Sequence, residues 1–515
     1  LRELSPTLLA AQKEASRIPY VKVTARNRVA GIVRLNWIRL YTGSEPDYFH
    51  ALAIPGDGSL VRVRITPPAD GRKLYQQRVA NPSPESDFSQ WTYSGQYNAV
   101  IIAAGSLGAE VSLFWIKSDR SIYQLKSTDY GVSWGAPQLI DYSPTTAING
   151  IAASYRPNGD IGLFFADQAT IYAKQRLNGS WQDKVSWDKT TGELSGVAAC
   201  YDGDFNLFVT GQDPEGNFKL YSLIYGDGQE VPAGTWSELR EFARAPSDGK
   251  FEYRQAFMDK PDVYRCFFAE KFSGIEAYTR PFWSHSVADT KFGDNLWREP
   301  VPFALSSEYG LAIAHHGSYG WLSHPGGVWR AKLSEESLDL SAALLSVRQE
   351  TGKEEGRLTV ELDSSRGQYA SPGEGELSAL DIGCQLDFSP GYVTPSGSEV
   401  SSGPAYWITA WEHASAHGKA SLILHALDGW NLIKNWRARH QLRWNKTGSQ
   451  MSVKDILAFV LARCGLKLTV KSQSPVLDSY YPDFVINPNS QGDAVVRRLL
   501  SFIPDVIFIE GSRAY

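Results

Sequence analysis

Several groups of residues in this chain are of types that do chemistry. "YTRPFWSHS" (Tyr278 to Ser286) and "HHGSYGWLSHPGG" (His315 to Gly327) are its most aromatic and His-rich loops. Exposed rings beside polar groups suit sugars. Tyr278, Trp283, His285, Tyr319 and Trp321 are therefore the candidate glycan contacts. The competing reading makes Trp283 and Trp321 packed cores, as tryptophans in repeated small sheets mostly are. His413 and His417 have a metal-like spacing, but "EHASAHGK" reads as a loop between strands and lacks the helix that would bring both imidazoles to one face. His315 and His316 point to opposite faces if they lie on a strand. Cys200, Cys266, Cys384 and Cys464 are far apart, form no CxxC pair and read as buried free thiols. No strand is followed by GxGxxG and there is no P-loop. No metal and no cofactor is expected.

"STDYGVSW" is the most patterned short stretch, with Ser127, Asp129, Gly131, Ser133 and Trp134 at its fixed positions. The spacing has a mechanical reason: Asp accepts backbone N–H bonds inside a tight turn, Gly takes a positive φ, and Trp anchors the hairpin. The stretch resembles the Asp-box of sialidase-like propellers, which lies away from the ligand face and supports the fold. A sialidase also needs three arginines for a carboxylate, a Tyr–Glu nucleophile pair and an acid Asp. Arg254, Arg265 and Arg280, with Tyr278 or Tyr309 and Glu308, contain the residue types, but no spacing requires them to converge. Arg17-Ile18-Pro19 is similar to the motif that begins such enzymes, yet it directly precedes a strand far from the first sheet. The expectation is that the chain is not an enzyme.

The elements that hold these residues are β-rich. The chain has 515 residues, with 16 Trp, 25 Tyr, 22 Phe and 45 Gly. Hydrophobic residues make up 43% and charged residues 21%, so a large core forms without disulfides. From about residue 45 to about 335, short apolar or alternating runs are split by turn residues, as in "GIAASYRPNGDIGLFFADQATIYAKQRL" and "GVAACYDGDFNLFVTGQDPEGNFKLYSLIYG". A small-residue strand, a turn, an aromatic strand, a third strand and a Trp recur, with Trp91, Trp134, Trp187, Trp236, Trp297 and Trp329 as markers. Their intervals lie around the ~40–50 residues of a four-stranded propeller blade. The expected fold is mainly β with α+β: an about six-bladed β-propeller, with a pair of β-sandwiches as the alternative.

After residue 335 the texture changes. "SVKDILAFVLARCG" predicts a helix with Ser452 as N-cap, Asp455 three residues on and Gly465 as its stop. "NSQGDAVVRRLLSFIP" predicts another, capped by Asn489 or Ser490. Three pieces together resemble the hub proteins of phage tails and related contractile injection machines, the late-control and baseplate-hub family. They are "GRLTVELDSSRGQYASPGEGELSALDIGCQLDFSPG", "ASLILHALDGWNLI", and "SVKDILAFVLARCGLKLTV" followed by "DFVINPNSQGDAVVRRLLSFIPDVIFIEGSRAY". The strands "YVKVTA" and "GIVRLNWIRLY" complete the match, although Asp363-Ser364-Ser365-Arg366-Gly367 replaces the commoner Asn-Asp-Gly turn.

The resemblance implies a propeller inserted into a phage-hub-like α+β scaffold. The expected divisions are an N-terminal helix and first hub strands over 1–41, the propeller over 42–337, the rest of the first hub-like domain over 338–435, and a second hub-like domain over 436–515. It also implies a virion structural protein at a phage or prophage tail tip, made in the bacterial host cytoplasm. Its expected partners are tube, spike or fibre proteins, further copies in a homotrimer, and a host-surface glycan touched by the propeller. Two alternatives stand beside it: a sialidase-like glycoside hydrolase attached to a tail, and a freestanding carbohydrate-binding propeller. The formal net charge of −5 offers no basic footprint for nucleic acid. No run of eighteen apolar residues suggests a membrane span, and charges interrupt the first seventeen residues where a signal core would lie. Gly511-Ser512 reads as a hairpin turn whose returning strand has just begun, so the natural protein is expected to continue beyond Tyr515.

Overall fold

A strand that is apolar on one face needs one neighbouring layer, and a strand that is apolar on both faces needs two. "EVSLFWIK", "IGLFFA" and "DFNLFVTGQ" are of the second kind. In the computed structural model the chain forms two compact units, residues 37–332 and residues 1–36 with 333–515. The structure describes all residues except 1–4, 15, 30–31, 34–36, 44–48, 89, 145–147, 189–192, 213–217, 230, 245–248, 261–262, 273–278, 286–300, 303–311, 325–326, 353–354, 417–418, 439–440, 447–450, 472–473 and 512; over 240–302 it describes backbone alone.

The described part of 37–332 holds six small antiparallel sheets, built mostly as up-and-down meanders. Their first strands are Phe49–Ala53, Ala99–Leu107, Gly150–Tyr155, Leu194–Asp202, Gly249–Lys260 and Ala312–His316. Each first strand lies beside the first strand of the next sheet, and the sixth lies beside that of the first. This propeller-like arrangement supplies the second layer that the doubly apolar strands require. On Glu110–Lys117, Val111, Leu113 and Trp115 pack with the first sheet, while Phe114 and Ile116 pack with the third. On Ile161–Ala166, Ile161, Leu163 and Phe165 face the second sheet, and Phe164 and Ala166 face the fourth. Alternation thus survives as a choice between two dry interfaces.

The sixth sheet is completed from far away in sequence. Its strands Tyr319–His324 and Gly327–Lys332 are followed by Ile38–Thr42, which pairs antiparallel with the latter, Arg330 opposite Ile38 and Gly327 opposite Thr42. Ile38–Thr42 therefore does not join a hub domain, as "GIVRLNWIRLY" suggested. Leu40 is buried with Leu52, Leu60, Phe88, Trp321 and Val328, and this apolar demand decides its place. The Trp series changes with it. Trp91 and Trp37 immediately precede the fourth strands of the first and sixth sheets, while Trp329 is a buried residue of a third strand. Trp297 lies outside the described residues.

In the other unit, Ile18–Arg26 pairs with Gln385–Thr394 along its whole length, and Thr24, Ala25 and Arg26 also pair with Asp339, Leu338 and Ser337. Residues from both sides of 37–332 thereby share one eight-stranded sheet. Val23, Leu340, Val360, Leu386, Tyr406 and Leu424 are among its buried residues. A second core gathers Trp430, Ile433, Leu457, Val460, Phe484, Val496 and Leu499.

The helix Val453–Arg463 starts at a capping box in which the Asp455 N–H donates to Ser452 Oγ and the Ser452 N–H to Asp455 Oδ2. It ends in a Schellman motif, with Leu466 N donating to Leu461 O and Gly465 N to Ala462 O. Gly492–Leu500 departs from expectation, because Gln491 precedes it without a side-chain cap. Asn489 N instead donates to Ala438 O, and Ser490 O accepts from Ala438 N. His413 lies in the strand Ala405–Ala416, opposite Leu422, where a loop was expected. Among the described residues no helix is long and apolar enough to cross a membrane.

Candidate functional site

In an up-and-down sheet of four strands, the first hairpin turn and the connection between the third and fourth strands emerge at the same end. At that end of unit 37–332 lies a cavity of about 420 Å³. Its described walls come from the ends of five first strands: Ala53, Ala104, Ala153, Ala199 and Ala314 mark the five contributors. Small residues dominate, because neighbouring backbones approach closely there. Gly56 N donates to Gly108 O at 2.6 Å, joining the first turns of two sheets. Ser106 Oγ donates to Ile54 O at 2.7 Å across the same seam.

The larger lining groups are Tyr155, Tyr201, His315 and His316. Both tyrosines sit at the ends of first strands, and both hydroxyls donate to carboxylates. Tyr155 Oη donates to Glu110 Oε1 at 3.1 Å, and Tyr201 Oη to Asp227 Oδ2 at 2.8 Å. Those carboxylates also bind cations: Glu110 meets Arg176 at 2.6 Å and Lys126 at 2.5 Å. Asp227 accepts two bonds from Arg156, at 2.7 and 2.8 Å. Burial, followed by the hydrogen bond to Asp227, pushes the Tyr201 phenol up to about 12. Burial and the Glu110 charge also push the Tyr155 phenol upward. Both phenols are therefore neutral donors across the physiological range.

The "STDYGVSW" turn is built from its own side chains. Ser127 Oγ donates to Asp129 Oδ1 at 2.7 Å and accepts from Gly131 N at 2.9 Å. Asp129 accepts from Ser133 N at 2.9 Å and from Ser133 Oγ at 2.5 Å. The Ser133 bonds, with that of Ser127, hold the Asp129 carboxyl at about 2. Gly131 has φ +81°, and a Cβ there would stand 2.8 Å from Val61 Cγ2. Trp134 packs on the interface of the first and second sheets.

Tyr130 N donates to Ala109 O, next to Gly108 of the cavity wall. Two connections of one meander share an end, so the turn and the cavity do as well.

The sequence-selected aromatics divide. Tyr319 is 37% exposed and carries Arg330 over its ring at 4.8 Å; it follows the hairpin of His316 and Gly317, which line the cavity. Trp321 is buried in the cluster with Leu52 and Val328, the packing role weighed against sugar contact. Trp283 and His285 belong to the strand Thr279–His285, with Trp283 opposite Phe267. Tyr278, Glu308, Tyr309 and His417 lie outside the described residues, and Arg254, Arg265 and Arg280 are described by backbone only. Ile18 and Pro19 pair with Val393 and Tyr392 in the other unit.

Tyr155 and Tyr201 were missed. The available signal was the repeat "GIAASY" and "GVAACY", which places each at the end of a small-residue strand.

No protein-family model and no curated protein matches the sequence. Solved structures do. An α-L-arabinanase of Penicillium chrysogenum complexed with arabinobiose matches at 12% identity and TM-score 0.38, over 59% of this chain and 98% of that one. The Aleuria aurantia lectin, in complex with Fucα1-6GlcNAc, matches at 11% and 0.35, over 71% and 97%. An α-L-arabinofuranosidase of Fusarium graminearum, in complex with an iminosugar inhibitor, matches at 11% and 0.36, over 63% and 99%. At these scores the likeness carries no argument about ligand or reaction. The hub resemblance draws no support from these structures. The expectation that the chain is not an enzyme is withdrawn, because glycoside hydrolases stand among the matching structures, and at these scores none of them assigns a reaction to this chain.

Proposed function

We propose that the chain is a component of a phage or prophage tail tip in which residues 37–332 form a closed six-bladed propeller that binds a host-surface glycan. The observation that carries the glycan reading is the cavity, with its small-residue walls and two half-buried tyrosines. Closure at six blades is supported by Ile38–Thr42, which completes the sixth sheet from the opposite end of the unit's sequence. The shared eight-stranded sheet supports reading the propeller as an insertion into the surrounding scaffold.

The tail-tip part rests on the order of elements after residue 340 and on its resemblance to tail hubs. In this reading the α+β unit joins tube, spike or fibre proteins as a homotrimer in the virion. Binding of the intact chain to a glycan array, with reducing-sugar release followed in parallel, tests the ligand. A bound glycan class is expected, and an array without any bound glycan would contradict the glycan reading. Cross-linking and imaging of tail particles test the location: density for trimers at the tip is expected, whereas a stable monomer absent from every tail would refute it.

A further inference from the structure

We propose that the cavity accepts an uncharged sugar of one or two rings, stacked on Tyr155 and Tyr201, and discriminates against sugars that carry a carboxylate. This rests on the glycan-binding reading above and names its ligand class.

The charges around the cavity are paired with one another. Glu110 is engaged by Arg176, Lys126 and the Tyr155 hydroxyl. Asp227 is engaged by both Arg156 contacts and the Tyr201 hydroxyl. The cations closest to the two tyrosines are thus already committed to carboxylates. The described lining itself contributes no Lys, Arg, Asp or Glu, and the side chains in it that can carry positive charge are His315 and His316. A ligand carboxylate would exchange its water for walls whose neighbouring cations are committed and whose tyrosines lead directly to two anions, an unfavourable transfer.

An uncharged sugar meets the opposite situation. Hydroxyls bound to Glu110 and Asp227 hold both tyrosine rings in place, and the ordering is complete before the ligand arrives. Gly105 adds to this, since a Cβ there would stand 3.1 Å from the Tyr155 ring and the backbone already packs on it. The parts of these fixed rings that line the cavity offer apolar surface to the C–H face of a pyranose, and the volume of about 420 Å³ lies within the range of small-ligand pockets.

The test is calorimetric titration and saturation-transfer NMR on the full chain, with methyl hexopyranosides and lactose set against sialyllactose and glucuronic acid. Neutral probes are expected to bind at least about 10-fold tighter than acidic ones, about 1.4 kcal/mol in affinity. Raising salt from low to high should change their affinity little, because no ion pair forms. Tyr201→Phe keeps the ring but loses its Asp227 anchor and is expected to weaken binding by about 3-fold, while Tyr201→Ala should lose about 10-fold or more. Thermal unfolding of each variant separates lost binding from lost folding. Binding confined to acidic probes and weakened by salt would overturn the neutral-sugar proposal while leaving the glycan reading intact. Absence of binding by any probe, repeated on a full glycan array, would overturn both.

Discussion

Asp129 shows how one carboxylate serves the architecture. Its bonds from Ser133 and Ser127 lower its pKa to about 2 from an ordinary value near 3.8. A carboxyl whose folded value is depressed contributes stability that is complete above its unfolded value and is lost as pH falls towards its folded one. The window is therefore about pH 4 down to pH 2. Denaturant titrations across pH 2–5 should show stability falling through this window. Asp129→Asn should flatten that fall, and an unchanged slope would remove Asp129 from the account. Ser452 belongs to the same scale: Ser452→Ala should cost about 1 kcal/mol, read by denaturant unfolding of the full chain. The cap and the Gly465 stop were legible because both are local. The cap of Gly492–Leu500 was not, because Asn489 and Ser490 are tied to Ala438, about fifty residues earlier.

At the scale of elements, each small sheet is stabilised by its neighbours. Trp115 is fully buried between the first two sheets, so Trp115→Ala should cost about 3–5 kcal/mol in denaturant unfolding. The strand Ile38–Thr42 is a sharper case, since it is the fourth strand of a sheet whose other strands begin at Ala312. Leu40→Pro removes a ladder donor and a buried side chain together. Limited proteolysis should then cut near Gly327–Lys332 in a form that is resistant before substitution; unchanged resistance would mean that the sheet does not depend on this strand. Strands such as Ile161–Ala166 were legible from their apolar runs and turn residues. The role of Ile38–Thr42 was not, because nothing local in "NWIRLYT" names a partner almost 290 residues away.

For the whole molecule, the chain is a sheet-rich unit carried between two parts of an α+β unit. The candidate site illustrates what a linear reading loses. The loops richest in aromatic residues drew attention, yet Trp321 is buried. The cavity takes His315, His316 and Gly317 from one of those loops, and the rest of its described lining is mostly small residues and two tyrosines from strand ends that the ring brings together. Small residues carry no motif, and their value here comes from letting backbones approach. Repetition was the readable trace, since "AAGS", "AASY" and "AACY" occupy matching places in three successive sheets.

A sugar held in this cavity must be displaced when the cavity is filled. Glycan-array binding by the intact chain should be compared with that of Ser154→Trp, whose indole would occupy the cavity, after unfolding curves show both are folded. Defined glycan binding by the native chain is expected, with its loss, by about 10-fold or more, in the filled variant. Equal binding by the two folded proteins would place the ligand elsewhere and contradict a sugar site in this cavity.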